Sequence, residues 1–153
     1  MRRFKIFWIL LVFILFILPI QGFGEEKGEK HPIDVWLESC IEKNSTTAGM
    51  LNCSSQALDK WDKELNRIYK ELMKKLSSEE KELLRQSQLQ WIKFRDAEFK
   101  WIDNLFLGYG TMIPVIKINV KINIVSNRVR ELEKYLFYIN QWEADRKEYF
   151  KIK

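Results

Sequence analysis

The 153-residue sequence predicts an all-α protein: a small antiparallel bundle of about four helices with one disulfide, preceded by a signal peptide. Apolar side chains recur at steps of three and four residues along most of the chain, which is typical of amphipathic helices. The only two cysteines lie close together, and an uncharged apolar run near the N terminus has the form of a secretory leader.

Residues 1–24 have the three parts of a signal peptide. Basic residues precede position 6, Ile6 to Leu18 is unbroken apolar sequence, and Gly22 and Gly24 are small residues at the positions that a signal peptidase reads. The apolar run is shorter than the roughly 20 residues that cross a bilayer. We therefore predict cleavage and a secreted or periplasmic protein, with an uncleaved signal anchor as the alternative and as the only predicted membrane contact.

The charge of the mature chain excludes one class of partner. Three of the 26 basic residues lie in the leader and none of the 21 acidic residues does, so the mature chain carries 23 against 21 and a net charge of +2. Nucleic-acid binding requires a concentrated basic face, whereas here Lys and Glu are interspersed as on a solvated helix surface. Nucleic acid is therefore excluded as a partner.

The mature chain begins with a polar segment. Residues 25–32 include a glycine and Pro32 and predict a flexible linker, which contains His31, the only histidine. A first helix is predicted from Ile33 to about Lys43. Residues 44–49 have the composition of a loop, with Asn, Ser, Thr and Gly.

A start signal separates the next two helices. The second is predicted to begin near Ser54 or Ser55 and to end at Leu76, with apolar residues at three- and four-residue steps. Ser77, followed by Glu80, predicts the next helix start, because a hydroxyl can cap first-turn amides and acidic groups suit the positive end of the helix dipole. This third helix is predicted to run to about position 107, where a Gly-Tyr-Gly segment breaks it.

The last segment carries conflicting patterns. Residues 115–124 alternate β-branched apolar residues with Lys and Asn, as a strand would. A strand needs a partner for its backbone, and no other stretch of the chain has this pattern. Helical steps resume from Val129, so we predict a helix throughout, with a strand at 115–124 as the alternative. The helical domain is predicted to cover residues 33–139, and residues 140–153 to form a charged and aromatic helix end or tail.

Cys40 and Cys53 both lie in the exported part of the chain and are predicted to form a disulfide. Closing a loop of about 14 residues would stabilise the fold by around 3 kcal/mol and hold the first helix against the second. A metal site would need more ligands at closer spacing, and thiol catalysis would need a C-x-x-C motif or a nearby base. We therefore predict no metal and no other cofactor.

Two rows of polar residues lie at helical spacing within otherwise apolar faces. Polar groups at such positions need hydrogen-bond partners if they are buried. We predict a hydrogen-bonded seam between the second and third helices, with Arg95 meeting a carboxylate such as Asp62; a ligand site built from the same residues is the alternative. The two rows are Asp62, Asn66 and Tyr69 on one helix, and Gln88, Trp91, Arg95 and Asp96 on the other.

These rows belong to a longer ordered set of residues. The set is Cys40, Thr46, Thr47, Met50, Cys53, Asp62 to Asn66, Tyr69, Leu84, Arg85, Gln88, Trp91, Ile92, Phe94 to Glu98, Gly110 to Met112, Pro114, Arg128, Glu131 and Leu132. In this respect the chain resembles the lysozyme inhibitor LprI-type N-terminal domain family, from about Trp36 to Tyr138. The resemblance implies an exported all-helical bacterial domain whose named activity is inhibition of lysozyme.

The chain departs from that family pattern at two positions. Members commonly carry a second cysteine pair, after the Arg-Asp motif and in the last helix. Here the corresponding positions hold Phe99 and Val120. The resemblance therefore implies an apolar contact in place of the second bridge.

The resemblance and the sequence together lead to two hypotheses of function. The first is an inhibitor that occupies the substrate cleft of a lysozyme, with a protein as partner and a projecting loop as the contact. The second is an envelope interaction module with another partner, which an exposed apolar patch in the Tyr138–Phe150 stretch would favour. An enzyme is not predicted, because the sequence lacks the histidine or carboxylate constellations that acid–base catalysis uses. The candidate loop is Gly108, Tyr109, Gly110, Thr111 and Met112.

Overall fold

A computed structural model describes residues 30–105 and 110–152, with side chains up to Glu143. The described residues form four helices, namely α1 (Pro32–Lys43), α2 (Thr47–Lys75), α3 (Ser78–Asn104) and α4 (Ile113–Ile152). The predicted all-α fold of about four helices is therefore confirmed. The predicted signal peptide lies outside the described residues.

The first helix begins earlier than the sequence suggested. Pro32 occupies the first helical turn, where its missing amide hydrogen costs nothing. The imidazole of His31 caps the helix, since its Nδ1 accepts a hydrogen bond from the Ile33 amide at 3.2 Å. The prediction that His31 and Pro32 lie in a flexible linker is therefore wrong.

The second helix begins at Thr47, so the predicted start at Ser54 or Ser55 is wrong. The Thr46 hydroxyl caps α2 by accepting from the Gly49 amide at 3.1 Å. Gly49 permits a close approach of the preceding turn, because a Cβ there would lie 2.6 Å from the carbonyl oxygen of Asn44. Residues 44–49, whose composition predicted a loop, therefore include the cap of α2 and the close contact between Gly49 and Asn44.

A disulfide joins α1 to α2, as predicted. The sulfurs of Cys40 and Cys53 are 2.01 Å apart and their Cα atoms 5.8 Å apart. Such a bridge fits an exported protein, because disulfides persist in oxidising compartments. None of the four described helices contains an apolar stretch of the length that a bilayer span requires.

The third helix starts with the predicted cap. The Ser77 hydroxyl accepts from the Glu80 amide at 3.3 Å, and the Glu80 carboxylate accepts from the Ser77 amide at 2.8 Å. The two bonds form a capping box. The helix ends at Asn104, slightly before the predicted position near Leu107.

The fourth helix includes the segment with a strand-like pattern. Residues 115–124 are helical, so the predicted helix is confirmed and the alternative strand is wrong. Val115, Ile122 and Val125 are buried, while Ile116 and Val120 are exposed. Ile122 and Val125 pack in one cluster with residues of α2, so burial in this segment follows helical steps and not strict alternation. The helix continues without interruption to Ile152.

Each helix runs antiparallel to the next, so α2 and α4 are parallel. At one end Thr47 contacts Met112, and at the other Lys75 pairs with Glu143. The main core lies between these two parallel helices, with α1 and α3 packed beside them. Burying each large apolar side chain contributes about 1.5–3 kcal/mol. The core comprises Ala57, Trp61, Leu65, Ile68 and Leu72 from α2, and Ile122, Val125, Val129 and Leu132 from α4.

Candidate functional site

A cleft of about 190 Å³ separates α2 from α3. It exists because α2 packs along α4, so that the backbones of α2 and α3 scarcely approach each other. Five of the seven residues in the two predicted polar rows line this cleft. The lining residues are Asp62, Leu65, Asn66 and Tyr69 from α2, and Arg85, Gln88, Leu89, Ile92 and Arg95 from α3.

The predicted hydrogen-bonded seam is therefore an open cleft. Among the described residues one ion pair crosses it, between Arg95 Nη1 and Asp62 Oδ1 at 3.7 Å. This distance is too long for a hydrogen bond. Asn66 turns back onto its own helix, where its Nδ2 donates to the backbone carbonyl of Asp62 at 2.8 Å.

Arg95 is held in position from several sides. Its Nε and Nη2 donate to Asp96 Oδ1 at 2.9 and 2.7 Å. Its guanidinium also lies 5.6 Å from the ring centre of Trp91 and 5.8 Å from that of Phe99. Trp91 and Asp96, the two members of the polar rows that do not line the cleft, therefore orient the arginine that does.

Asp62 lies in a mixed electrostatic environment. Partial burial raises the pKa of its carboxyl group, the positive charge of Arg95 opposes that effect, and the negative charges of Asp59 and Asp96 add to it. The net direction is a raised pKa. The Asp62 side chain is 42% exposed and accepts no hydrogen bond from any described residue. Its carboxylate is thus an acceptor that remains available at the cleft.

Gln88 is the most buried polar residue of the cleft, at 9% exposure. Its Oε1 accepts a hydrogen bond from Arg128 Nε of α4 at 3.1 Å. Its side-chain nitrogen donates to no described residue, and the Tyr69 hydroxyl likewise has no hydrogen-bond partner there. The cleft therefore presents donors without a hydrogen-bond partner beside a carboxylate that accepts no hydrogen bond from the described residues.

Sequence reasoning missed Arg128 as the partner of Gln88. Arg128 is 7% exposed, and it also donates to Ser87 Oγ at 3.3 Å and to Glu131 at 2.7 Å. A signal was present in the sequence, because Arg128 lies beside Val125 and Val129 on the buried face of α4. A cation at such a position requires buried partners.

A second group of polar side chains surrounds His31. Ligand-type atoms of His31, Glu64 and Glu133 lie within 4.8 Å of one another, close enough to surround a cation. His31 and Glu64 already make hydrogen bonds to other residues. His31 Nδ1 accepts the capping bond, so a neutral ring carries its hydrogen on Nε2, which faces Glu133 at 3.6 Å. A hydrogen bond from Arg67 lowers the pKa of Glu64.

The predicted contact loop is described only in part. Gly108 and Tyr109 lie outside the described residues. Gly110 has a φ of 41°, a left-handed conformation that favours glycine. Thr111 and Met112 are exposed, and the Met112 sulfur accepts from the Thr47 hydroxyl at 3.6 Å. The C-terminal side of the loop is thus attached to the start of α2.

An apolar groove lies beyond the polar cleft, where α2 ends and α3 begins. It has a volume of about 360 Å³. Tyr138, one of its wall residues, is 64% exposed, and Trp142 is also exposed one turn further along α4. The groove is lined by Leu72, Leu76, Glu80, Leu83, Leu84, Tyr135, Tyr138 and Ile139.

The positions that the resemblance assigned to a second disulfide are arranged differently. Phe99 packs against the main core, whereas Val120 is exposed. Lys121, the residue after Val120, places its Nζ 5.2 Å from the ring centre of Phe99 and 2.6 Å from Asp103 Oδ1. A lysine therefore links α3 to α4 at this end through a ring contact and an ion pair.

Comparison with known proteins identifies similar sequences and folds. The family model described as "Lysozyme inhibitor LprI" matches residues 40–132, a segment that contains the disulfide and the cleft. The crystal structure of an uncharacterized protein from Burkholderia thailandensis is similar, with a TM-score of 0.68 and 24% identity over 74% of this chain and 57% of that one. This likeness shows the shared fold. A search of curated proteins finds no significant match.

Proposed function

Because the chain belongs to the lysozyme inhibitor LprI family, we propose that it is an exported protein that inhibits a lysozyme by binding to it. The matched segment, residues 40–132, supports this function most directly. It contains both cysteines, all residues of the two polar rows and the candidate contact loop. In this proposal the leader is removed and the helical bundle acts without catalysis of its own.

The proposed contact is the loop from Gly108 to Met112. An inhibitor of this kind needs an ordered projection that enters a substrate cleft. Gly110 permits a tight turn, and the bond between Thr47 and Met112 ties the loop to α2. Tyr109 is the proposed anchor, because aromatic residues provide much of the binding energy at protein interfaces. The net charge of +2 offers no long-range attraction to a cationic lysozyme, so contact at short range must supply the affinity.

A lytic assay tests this function. The mature chain, residues 25–153, is added at micromolar excess to lysozymes of several types acting on bacterial walls, and binding is measured in parallel. We expect inhibition of at least one type and complex formation with the same type. Tyr109→Ala should weaken inhibition by about tenfold or more, as for truncation of an interface anchor. Failure to inhibit or to bind any lysozyme would refute the proposal.

A matched control separates the loop from other exposed aromatic residues. Tyr138 is exposed on the apolar groove, away from the loop in the chain. Tyr138→Ala should leave inhibition unchanged if the loop makes the contact. Equal losses in the two tyrosine variants would contradict the assignment of the loop.

The exposed groove favours a second candidate, an envelope interaction module with a partner other than lysozyme. Exposed apolar patches often mark protein interaction sites. This candidate predicts a defined complex in pull-down from an envelope extract that Tyr138→Ala weakens. It also predicts that the mature chain has no effect on any lysozyme.

A further inference from the structure

We propose that the cleft between α2 and α3 binds a small ligand through a secondary amide, such as the acetamido group of an amino sugar or the blocked end of a short peptide. This site is separate from the loop proposed to contact lysozyme. The proposal therefore goes beyond the inhibitory function and does not depend on it.

The side-chain nitrogen of Gln88 is the first supporting observation. The residue is 9% exposed, its oxygen is engaged by Arg128, and its nitrogen donates to no described residue. The nitrogen is not among the fully buried atoms that lack a partner, so solvent, and equally a ligand, can reach it from the cleft. A ligand carbonyl in the cleft would accept from this nitrogen.

Asp62 supplies the complementary group on the opposite wall. Its carboxylate faces Arg95 at 3.7 Å without a hydrogen bond and accepts none from the other described residues. A ligand N–H can therefore donate to it. The Tyr69 hydroxyl, which makes no hydrogen bond to those residues, can donate or accept beside it.

The size and the apolar part of the cleft limit the ligand. The volume of about 190 Å³ is below the roughly 300–1,000 Å³ of pockets for drug-sized molecules. One ring or one amide with its neighbouring carbon atoms is therefore the appropriate scale. Leu65, Leu89 and Ile92 provide apolar contacts for a methyl group or a ring face.

The charges of the cleft argue against a simple ion as ligand. Arg95 is paired with Asp96, and Arg85 is paired with Glu82 at 2.6 Å. Neither guanidinium is thus left as an unpaired cation for a phosphate or carboxylate. A metal ion is also disfavoured, because Asp62 is the one carboxylate among the lining residues and the polar side chains on the α3 wall are mainly N–H donors. An amide provides one donor and one acceptor without net charge, which matches the unused groups.

The proposal can be tested by NMR titration of the mature protein with three probes. These are di-N-acetylchitobiose, the same disaccharide with free amines, and an N-acetylated alanine N-methylamide. We expect millimolar or tighter binding of at least one amide probe, with shifts confined to residues of the cleft. Binding of the sugar alone, the dipeptide analogue alone, or both supports the proposal and identifies the source of the amide.

Two variants and a control complete the test. Gln88→Glu keeps an oxygen for Arg128 but removes the donor, and Asp62→Ala removes the carboxylate acceptor. Each should weaken binding of the amide probe by about tenfold, the equivalent of one hydrogen bond. Lys63→Ala, at an exposed position of α2 outside the cleft, should bind as the parent does.

Three results would overturn the proposal. The first is that neither amide probe binds at a concentration tenfold above the expected dissociation constant of about 1 mM. The second is that the free-amine disaccharide binds as tightly as the acetylated one, and the third is that the Gln88 variant binds the amide probe as the parent does. The lytic assay above reports on the loop independently, so failure of one proposal is distinguishable from failure of the other.

Discussion

Replacement of Arg128 by Leu should destabilise the fold more than any surface change, because this side chain joins α3 to α4. Its guanidinium donates to Gln88 at 3.1 Å and to Ser87 at 3.3 Å across the helix interface. It also pairs with Glu131 on its own helix at 2.7 Å. Leucine retains apolar burial but offers no donor, so the Gln88 oxygen loses its partner.

The expected loss can be worked out from these contacts. A hydrogen bond to a charged group contributes about 1.5–3 kcal/mol, and a buried acceptor without a partner costs about 1–3 kcal/mol. The pair with Glu131 adds little, because that carboxylate is 46% exposed. The packing of leucine offsets part of the loss. We expect a decrease of about 3 kcal/mol in the free energy of unfolding, or roughly 10 °C in Tm.

Urea denaturation followed by circular dichroism measures this change. Arg85→Leu is the matched control, because Arg85 forms the same kind of i,i+3 pair with Glu82 and both side chains are about half exposed. Its cost should stay below about 1 kcal/mol. The double variant Gln88→Leu, Arg128→Leu should cost about 1–2 kcal/mol less than the sum of the single changes, since the two side chains contact each other. A loss below about 1 kcal/mol for Arg128→Leu, or additive single changes, would refute the buried bond.

Three further predictions concern stability. Replacing both Cys40 and Cys53 by Ala should lower the free energy of unfolding by about 3 kcal/mol in urea titrations, because the unfolded chain regains the entropy of a closed loop; equal stability of oxidised and double-variant protein would contradict this. Ser54→Ala should leave thermal stability unchanged or raise it by about 1 kcal/mol, because the buried Ser54 hydroxyl has no partner among the described residues, and a marked loss would show that the hydroxyl is bonded. Partial burial alone would raise the pKa of Glu131, but the hydrogen bonds from Arg128 and Tyr135 and the charge of Arg128 lower it overall. The stability from this lowered pKa is present above the ordinary carboxyl pKa and disappears as pH falls through the folded value, so Glu131→Gln should reduce stability at pH 7 and converge with the parent in acid; a constant difference at all pH values would exclude this linkage.

Much of the fold could be predicted from local patterns. The three- and four-residue steps of apolar residues indicated the helices, and Ser77 with Glu80 marked the start of α3, because helix formation and capping depend on neighbouring residues. The cysteine pair was sufficient for the disulfide, since the chain has no other cysteine. Composition did not predict that α2 begins within residues 44–49, because Ser, Thr, Asn and Gly are equally typical of a loop and of a helix cap.

The candidate site required the tertiary structure. The two polar rows were visible in the sequence, and their spacing placed them on one face of each helix. Helical spacing does not determine which apolar face packs against which other helix, because it describes the apolar stripe of one helix at a time. The structure pairs α2 with α4, so the rows face each other across a cleft, and Gln88 bonds to Arg128, 40 residues away. The sequence determined the helices, through interactions within a few residues, whereas the cleft depends on the packing of distant helices.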